Sequence, residues 1–282
     1  MGASERRQNK KRHKNIGKNI VSICVCLLYL LPLYVLLNMA FKVPTDHSSR
    51  LSLPAYFDVS NFLSALDGGG FLRAMMNTVI VTAGVVLILV VVGCMAAYPL
   101  SRDHTRITKI TNSLCLGVMM IPALSILVGV YTEIVSLGGV NHLWAVIAVQ
   151  GAFGLPMSIF MYKNFIRSIP ESLDEAAVLD GANSFQVFWN VILPQLRPVT
   201  VSIIICDGAA AWNTYMYPSY ILQRPQKFTL VLLVRKYFNS GSGAQNLHGA
   251  AAAAVLCVLP LVLLYLFLQK YFIKGQLDSA VK

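Results

Sequence analysis

A single carboxylate, Asp207, stands in the apolar run SIIICDGAAAW, with Trp212 and Asn213 just beyond it. A charge at the centre of a bilayer costs about 2.5–3.5 kcal/mol even on lenient insertion scales, so a carboxylate there faces protein or water rather than lipid. In such a place it accepts hydrogen bonds from hydroxyl groups, and an indole nearby stacks on an apolar ring face. Asp207, Trp212 and Asn213 are therefore candidates for lining a solute pathway. A polar contact that holds this chain to a neighbouring subunit is the alternative use.

The sets that would carry catalysis are missing. The sequence has no G-x-x-x-x-G-K-[ST] loop to hold ATP phosphates, and no HExxH or GxSxG. His13, His47, His104, His142 and His248 fall in tails, loops or span edges. The six cysteines all lie in apolar segments without CxxC or Cys/His ligand spacing, and read as small packing residues. An intramembrane hydrolase needs paired catalytic groups within its spans, and only Asp207 is on offer. No metal site and no enzymatic activity are expected.

A second constellation is polar and amphipathic. Pro170-Glu171 opens a helix, with acids near its N-terminus where the helix dipole favours them. Leu173, Ala176, Ala177 and Asp180 then share one face at i, i+3, i+4, i+7. Gly181 suits the left-handed residue that ends a helix, and Asn183 or Ser184 can cap the next one. On that second helix Phe185, Phe188, Trp189 and Ile192 repeat the same spacing, and Pro194 and Pro198 follow. The product is a helix–Gly turn–helix knob over Glu171–Pro198. An interfacial helix lying on lipid is the alternative, but the first face carries Asp174, Glu175 and Asp180 and no Lys or Arg, which anionic lipid repels. Docking to a soluble partner fits better.

The elements that hold these residues are membrane spans. The chain of 282 residues is 56% hydrophobic and 12% charged, where soluble domains carry about 25% charged residues; its mean hydropathy is +0.63. Six apolar stretches near 20 residues, each able to cross a core of about 30 Å, are expected at Ile20–Phe41, Val79–Leu100, Leu114–Tyr131, Leu143–Tyr162, Val199–Leu222 and Gly249–Phe272. The first is too long for a signal-peptide core and lacks a cleavage site, so it reads as a retained anchor. With the N-terminus inside, the inner segments hold sixteen Lys and Arg and the outer ones seven. That bias puts both termini and the knob in the cytoplasm. The net charge of +11 is thus topology and lipid attraction; no basic-aromatic platform for nucleic acid accompanies it.

Between spans, residues 1–18 read as a disordered basic tail, and 43–72 as an outer loop with a short helix near Ser60–Leu66 capped by Ser60. A tight turn is expected at Leu137–Asn141, and a longer outer loop at Gln223–His248 with the flexible Ser240-Gly241-Ser242-Gly243. Pro32, Pro122, Pro156 and Pro260 fall inside spans; a single buried Pro is more often a tolerated kink than a hinge, while several in one bundle fit broken helices around a pathway. The small residues Gly249–Ala254 invite close helix packing.

Glu175-Ala176-Ala177, Asp180-Gly181-Ala182 and Leu193-Pro194 with Pro198 resemble the EAA loop of ABC-importer membrane permeases of the type I fold. Asn77-Thr78, the end of span two at Ala96–Arg102, Ile121-Pro122, Ile169-Pro170, Trp212-Asn213 with Pro218, and Gln269 with Lys274-Gly275 and Ala280–Lys282 extend the likeness over Phe71–Lys282, with Asn61-Phe62 before it. They resemble the maltose-type carbohydrate subfamily, and its second, six-span permease.

The resemblance implies an all-α membrane protein with six transmembrane helices. Residues 1–18 are then a tail, 19–72 the first span and outer loop, 73–272 the permease domain with its coupling loop at 169–198, and 273–282 a tail. It further implies that Glu175, Ala176, Ala177, Asp180, Gly181, Phe185, Leu193 and Pro194 form the contact with a cytoplasmic ATPase, Glu175 pairing with a basic residue there. ATP and Mg would be bound by two copies of that ATPase and no cofactor by this chain. The other implied partners are a second permease, a solute-binding protein outside the bacterial inner membrane, and a sugar. Amino acids or peptides are the alternative solutes, and an ion-coupled secondary transporter the alternative class. Thr214 stands where the family often has an acid, and Ser279 replaces a Gly of its C-terminal ending, which leaves the tail's contact with the ATPase open.

Overall fold

The computed structural model describes residues 3–46, 48–67, 70–238 and 246–280. These residues form helices and turns, with no strand among them. The expected Ser240–Gly243 linker, Gly68-Gly69, His47 and Val281-Lys282 lie outside the described residues. In order, the helices are α1 Ala3–Ala40, α2 Ser60–Asp67, α3 Phe71–Arg102, α4 Arg106–Met119, α5 Leu127–Ser136, α6 Leu143–Arg167, α7 Ser172–Leu179 and α8 Ser184–Val187. A π-helical turn at Phe188–Ile192 leads to α9 Leu193–Gln195, α10 Arg197–Asn213, α11 Met216–Ile221, a 3₁₀ turn at Pro225–Lys227, α12 Leu230–Phe238 and α13 Leu247–Ala280. Two compact units result, Met1–Gly68 with Tyr237–Leu256, and Gly69–Lys236 with Cys257–Lys282.

In the first unit the tail expected to be disordered is helical from Ala3, continuous with the apolar Lys18–Ala40. Its Arg, Lys, Gln and Ala are good helix formers, and between Ala3 and Lys18 there is no Pro and only Gly17 to oppose them. The end of α1 is fixed by polar side chains. Asn61 Nδ2 donates to the carbonyls of Ala40 (3.1 Å) and Lys42 (2.7 Å), satisfying groups that a helix end leaves open. Lys42, only 1% exposed, donates to Ser48 Oγ (2.6 Å), Ser49 O (2.8 Å) and Ser52 Oγ (3.1 Å), so the loop after α1 is wound around one buried ammonium. The short helix is where the sequence puts it, with Ser60 its first residue, but the side chain that holds its start is that of Asp58 and not that of Ser60. Asp58 accepts from Ser60 N (2.8 Å) and Ser60 Oγ (2.7 Å), and these bonds hold its carboxyl below the usual range. The small-residue run packs closely as expected: Ala251 and Ala252 bury against Ala40.

The second unit is built on α3 against α6. Gly84, Gly93, Gly151 and Gly154 lie at that contact, each facing a side chain of the other helix. Ser158 Oγ donates to Leu89 O at 2.7 Å, and Tyr162 bonds Thr200 at 2.9 Å, tying α6 to α10.

Among the described residues four helices are long and apolar enough to cross a membrane: Lys18–Ala40, Phe71–Arg102, Leu143–Arg167 and Leu247–Phe267. Two expected spans are broken instead. Pro122 interrupts Leu114–Tyr131, leaving α4 and α5 joined by i→i+3 turns such as Ser125 N to Pro122 O at 3.0 Å. The stretch Val199–Leu222 breaks at Thr214, which is extended (φ −64, ψ 125). Asn213 Nδ2 and Thr214 Oγ1 bond back to the carbonyls of Ala209 (2.9 Å) and Ala210 (2.7 Å), so the break leaves those groups satisfied without water. Ser184–Gln195 and Arg197–Ile221 meet at 68°. The Leu137–Asn141 turn is tight as read: Gly138 and Asn141 both have positive φ (66 and 63). Asn141 Oδ1 accepts from Gln223 N and Arg224 N, both at 2.7 Å.

A methyl group added at Gly93 would run into Ser158 Oγ, which is itself fully buried. Gly93→Ala is expected to cost about 1–3 kcal/mol, the usual range for overpacking. It would read as a lowered melting temperature of the purified protein. Ser158→Ala removes the obstructing oxygen, so the double variant should recover most of the loss; a double variant no better than Gly93→Ala would refute this packing account.

Candidate functional site

Two groups of residues stand out, and both lie in the second unit. The first is the knob. α7 ends as the sequence suggests, in a Schellman turn. Gly181 N donates to Val178 O (2.9 Å) and Ala182 N to Ala177 O (3.0 Å), with Gly181 at φ +88. Nothing lies within 4 Å of a Cβ built on Gly181, so backbone conformation and not space demands glycine there. Asn183 is the cap of α8, in a reciprocal box: Gln186 N to Asn183 Oδ1 at 3.0 Å and Asn183 N to Gln186 Oε1 at 2.9 Å.

The four residues read as one ridge divide in two. Phe188 and Ile192 are buried, Phe188 against Tyr98 with ring centroids 5.5 Å apart, while Phe185 and Trp189 stay exposed and stack on each other at 6.0 Å. The π-helical turn at Phe188–Ile192 widens the helix just before Pro194, whose missing N–H an α-helical ladder would feel. Leu193 is half-buried and Pro194 exposed at the start of α9. On α7, Glu175, Ala176 and Asp180 are exposed and Ala177 is half-buried against the core. Leu179 is 88% exposed, so the knob carries an open apolar surface beside unpaired acids. Glu175 and Asp180 form no ion pair among the described residues.

The acids that are paired meet one arginine. Arg102, the last residue of α3 and 11% exposed, places Nε 2.7 Å from Asp174 Oδ2 and Nη1 3.6 Å from Glu171 Oε1, and donates Nη2 to Ile169 O at 3.1 Å. In the sequence Arg102 contributes only to the charge balance and to the family pattern at Ala96–Arg102. Its partner sits 72 residues away, and no local spacing connects the two.

The second group surrounds a cavity of about 240 Å³ between α3, α6, α10 and α11. Asp207, Ala210, Ala211 and Thr214 line it at i, i+3, i+4, i+7, together with Gln150, Phe153 and Gly154 at i, i+3, i+4, and Tyr217. Asp207 Oδ2, both amide atoms of Gln150 and the Tyr217 hydroxyl are buried with no hydrogen-bond partner. The other two residues expected here sit elsewhere. Trp212 is 6% exposed and gives its indole N–H to Cys257 O at 3.1 Å, a packing role. Asn213 is exposed and bonds its own helix. Five and six positions from Asp207 turn a helix off that face; three, four and seven keep it, and that phase was the available signal for the lining residues.

Residues 89–277 match the family described as "Binding-protein-dependent transport system inner membrane component". The chain is 37% identical to the melibiose/raffinose/stachyose import permease protein MelC of Bacillus subtilis, over 93% of this chain and 95% of that protein. It is 30% identical to the probable starch degradation products transport system permease protein AmyC of Thermoanaerobacterium thermosulfurigenes, again over 93% and 95%. Among solved structures, a chain of a bacterial ABC transporter involved in the import of the acidic polysaccharide alginate superposes with a TM-score of 0.81 at 22% identity, covering 93% of this chain and 98% of that one.

Removing Arg102 strands a mostly buried carboxylate. Arg102→Ala should destabilise the junction by about 3 kcal/mol, the low end for a broken buried pair. Cleavage of 170–190 by protease should rise several-fold while the α3–α6 pair stays folded. Arg102→Lys keeps charge but not the fork and should fall between. Unchanged cleavage in Arg102→Ala would show that the guanidinium does not hold the knob.

Proposed function

This chain belongs to the family of binding-protein-dependent transport system inner membrane components, and on that premise we propose that it is the second, six-span permease of a sugar importer, coupled through its knob to a separate ATPase. The observation that carries the coupling is the knob itself. It is an exposed apolar surface with two free acids, ended by a left-handed glycine and tied at its root to α3 through Arg102. The likeness over nearly the whole chain to a melibiose, raffinose and stachyose permease supports a sugar as the solute.

In this reading six crossings are α1, α3, the broken α4–α5, α6, the broken α10–α11 and α13. The domain at 73–272 then carries the pathway, with 1–18 and 273–282 as cytoplasmic tails, placed there by the Lys and Arg balance. Glu175, Ala176, Ala177, Asp180, Gly181, Phe185, Leu193 and Pro194 form the coupling face, Leu193 and Pro194 by seating its second half. The partners are a second permease, two ATPase copies that bind ATP and Mg, and an external binding protein that delivers sugar. The chain works by transmitting motion, not by catalysis. ATP closes the ATPase pair, the knobs on the two permeases approach, and a bundle with two discrete packings turns from one to the other.

The knob is testable in the reconstituted complex. A β-branched residue in a left-handed conformation costs about 1–2 kcal/mol. Gly181→Val should therefore cut uptake by tenfold or more while the ATPase still hydrolyses ATP, and Gly181→Asn should be milder. Glu175→Lys should uncouple in the same way. Normal uptake by Gly181→Val would sink the coupling assignment.

A further inference from the structure

We propose that Asp207, Gln150 and Tyr217 form a contact site for one uncharged pyranose ring of the transported sugar, contributed by this subunit itself. The inference rests on the sugar-permease reading and deepens it. Three polar side chains from three helices are aimed into one cavity, and each has a buried polar atom without a partner. Gln150 is 8% and Tyr217 7% exposed, so solvent does not satisfy them. A buried donor or acceptor left open costs about 1–3 kcal/mol, and such groups in folded proteins carry a reason.

Their chemistry describes the missing partner. The amide of Gln150 donates and accepts, the carboxylate of Asp207 accepts, and the phenol of Tyr217 does either. Groups that both donate and accept, set around a compact ring, are sugar hydroxyls. Phe153 and Tyr217 line the same cavity as a parallel stack, with centroids 5.8 Å apart and planes 5° apart. The aliphatic side chains of Val85 and Leu89 complete an apolar wall. A pyranose has polar edges and apolar C–H faces, and this wall suits the faces.

Size and charge narrow the class. At about 240 Å³ the cavity falls below the ~300–1,000 Å³ of sites that enclose a drug-sized ligand, so it holds one ring while the rest of an oligosaccharide lies outside. No Lys, Arg or His lines it, and Asp207 repels a uronate carboxylate brought in without water. The same feature that accepts hydroxyls thus works against acidic sugars.

The test uses the full complex, with its binding protein, in proteoliposomes, and follows labelled melibiose and raffinose. Asp207→Asn and Gln150→Leu are expected to lower uptake tenfold or more while the complex assembles in wild-type amounts. Tyr217→Phe, which removes one oxygen and keeps the stack, should lower uptake about threefold and leaves assembly as a separate readout. Wild-type uptake in all three variants would mean a water-filled cavity only and would overturn the proposal. A preference for glucosamine-containing over neutral disaccharides would overturn the uncharged class. Failure of the wild-type complex to take up any neutral sugar would instead strike at the sugar-permease reading beneath it.

Discussion

The junction at Arg102 decides what the knob can do. A surface helix of eight residues, α7, is too short to hold its own direction, since isolated helices below about 12–15 residues are marginal in water. One guanidinium fixes it from inside. Asp174, Glu171 and the carbonyl of Ile169 converge on a side chain that ends the longest apolar helix of the second unit. Below it, Tyr98, one helical turn before Arg102, packs on Phe188. α7 is thereby joined to α3 through a charged hydrogen bond, and the π-helical turn to α3 through an aromatic contact.

Hydrocarbon imposes the second constraint. A chain that breaks a helix inside the membrane must satisfy the freed backbone from its own atoms. At Thr214 two side chains bond back to the carbonyls of Ala209 and Ala210, and Tyr217, three residues on, lines the same cavity as Asp207. Positions 207, 210, 211, 214 and 217 thus line one side of the cavity along α10 and α11.

The sequence was most informative where a residue type answers a local backbone demand. Gly181 at a left-handed position, Asn183 as a cap, the Gly138–Asn141 turn and the small residues at Ala250–Ala253 all follow from conformation and size within a few positions. What stayed hidden was non-local or a matter of phase. Hydropathy averages over Pro122 and Thr214, so it reads continuous spans where the helices are interrupted. The Arg102–Asp174 pair crosses 72 positions. Gln150 is a lone uncharged residue in an apolar run, which reads as tolerated polarity until three dimensions bring it to Asp207. Trp212 drew attention by type, but helical phase sends it to Cys257.

Knob and cavity share one stretch of chain, from Gly181 through the π-helical turn to Asp207. Ten residues of α10, about 15 Å, separate Arg197 at its start from Asp207. Proximity along a helix does not by itself couple two sites; both must bias the same two-state element. The proposed ring contacts meet that condition by their distribution. Gln150 and Phe153 belong to α6, Asp207 to α10 and Tyr217 to α11, so any repacking that moves α10 against α6 takes the cluster apart. A ligand held by groups on separate helices binds one packing better than another, and only such a difference in affinity can shift an equilibrium. Converting a 1:99 population to 99:1 needs about 5.5 kcal/mol, more than one sugar ring with three polar contacts supplies at about 1 kcal/mol each. In the proposed reading the ring can therefore bias the packing, while the greater part of the work would enter through the knob.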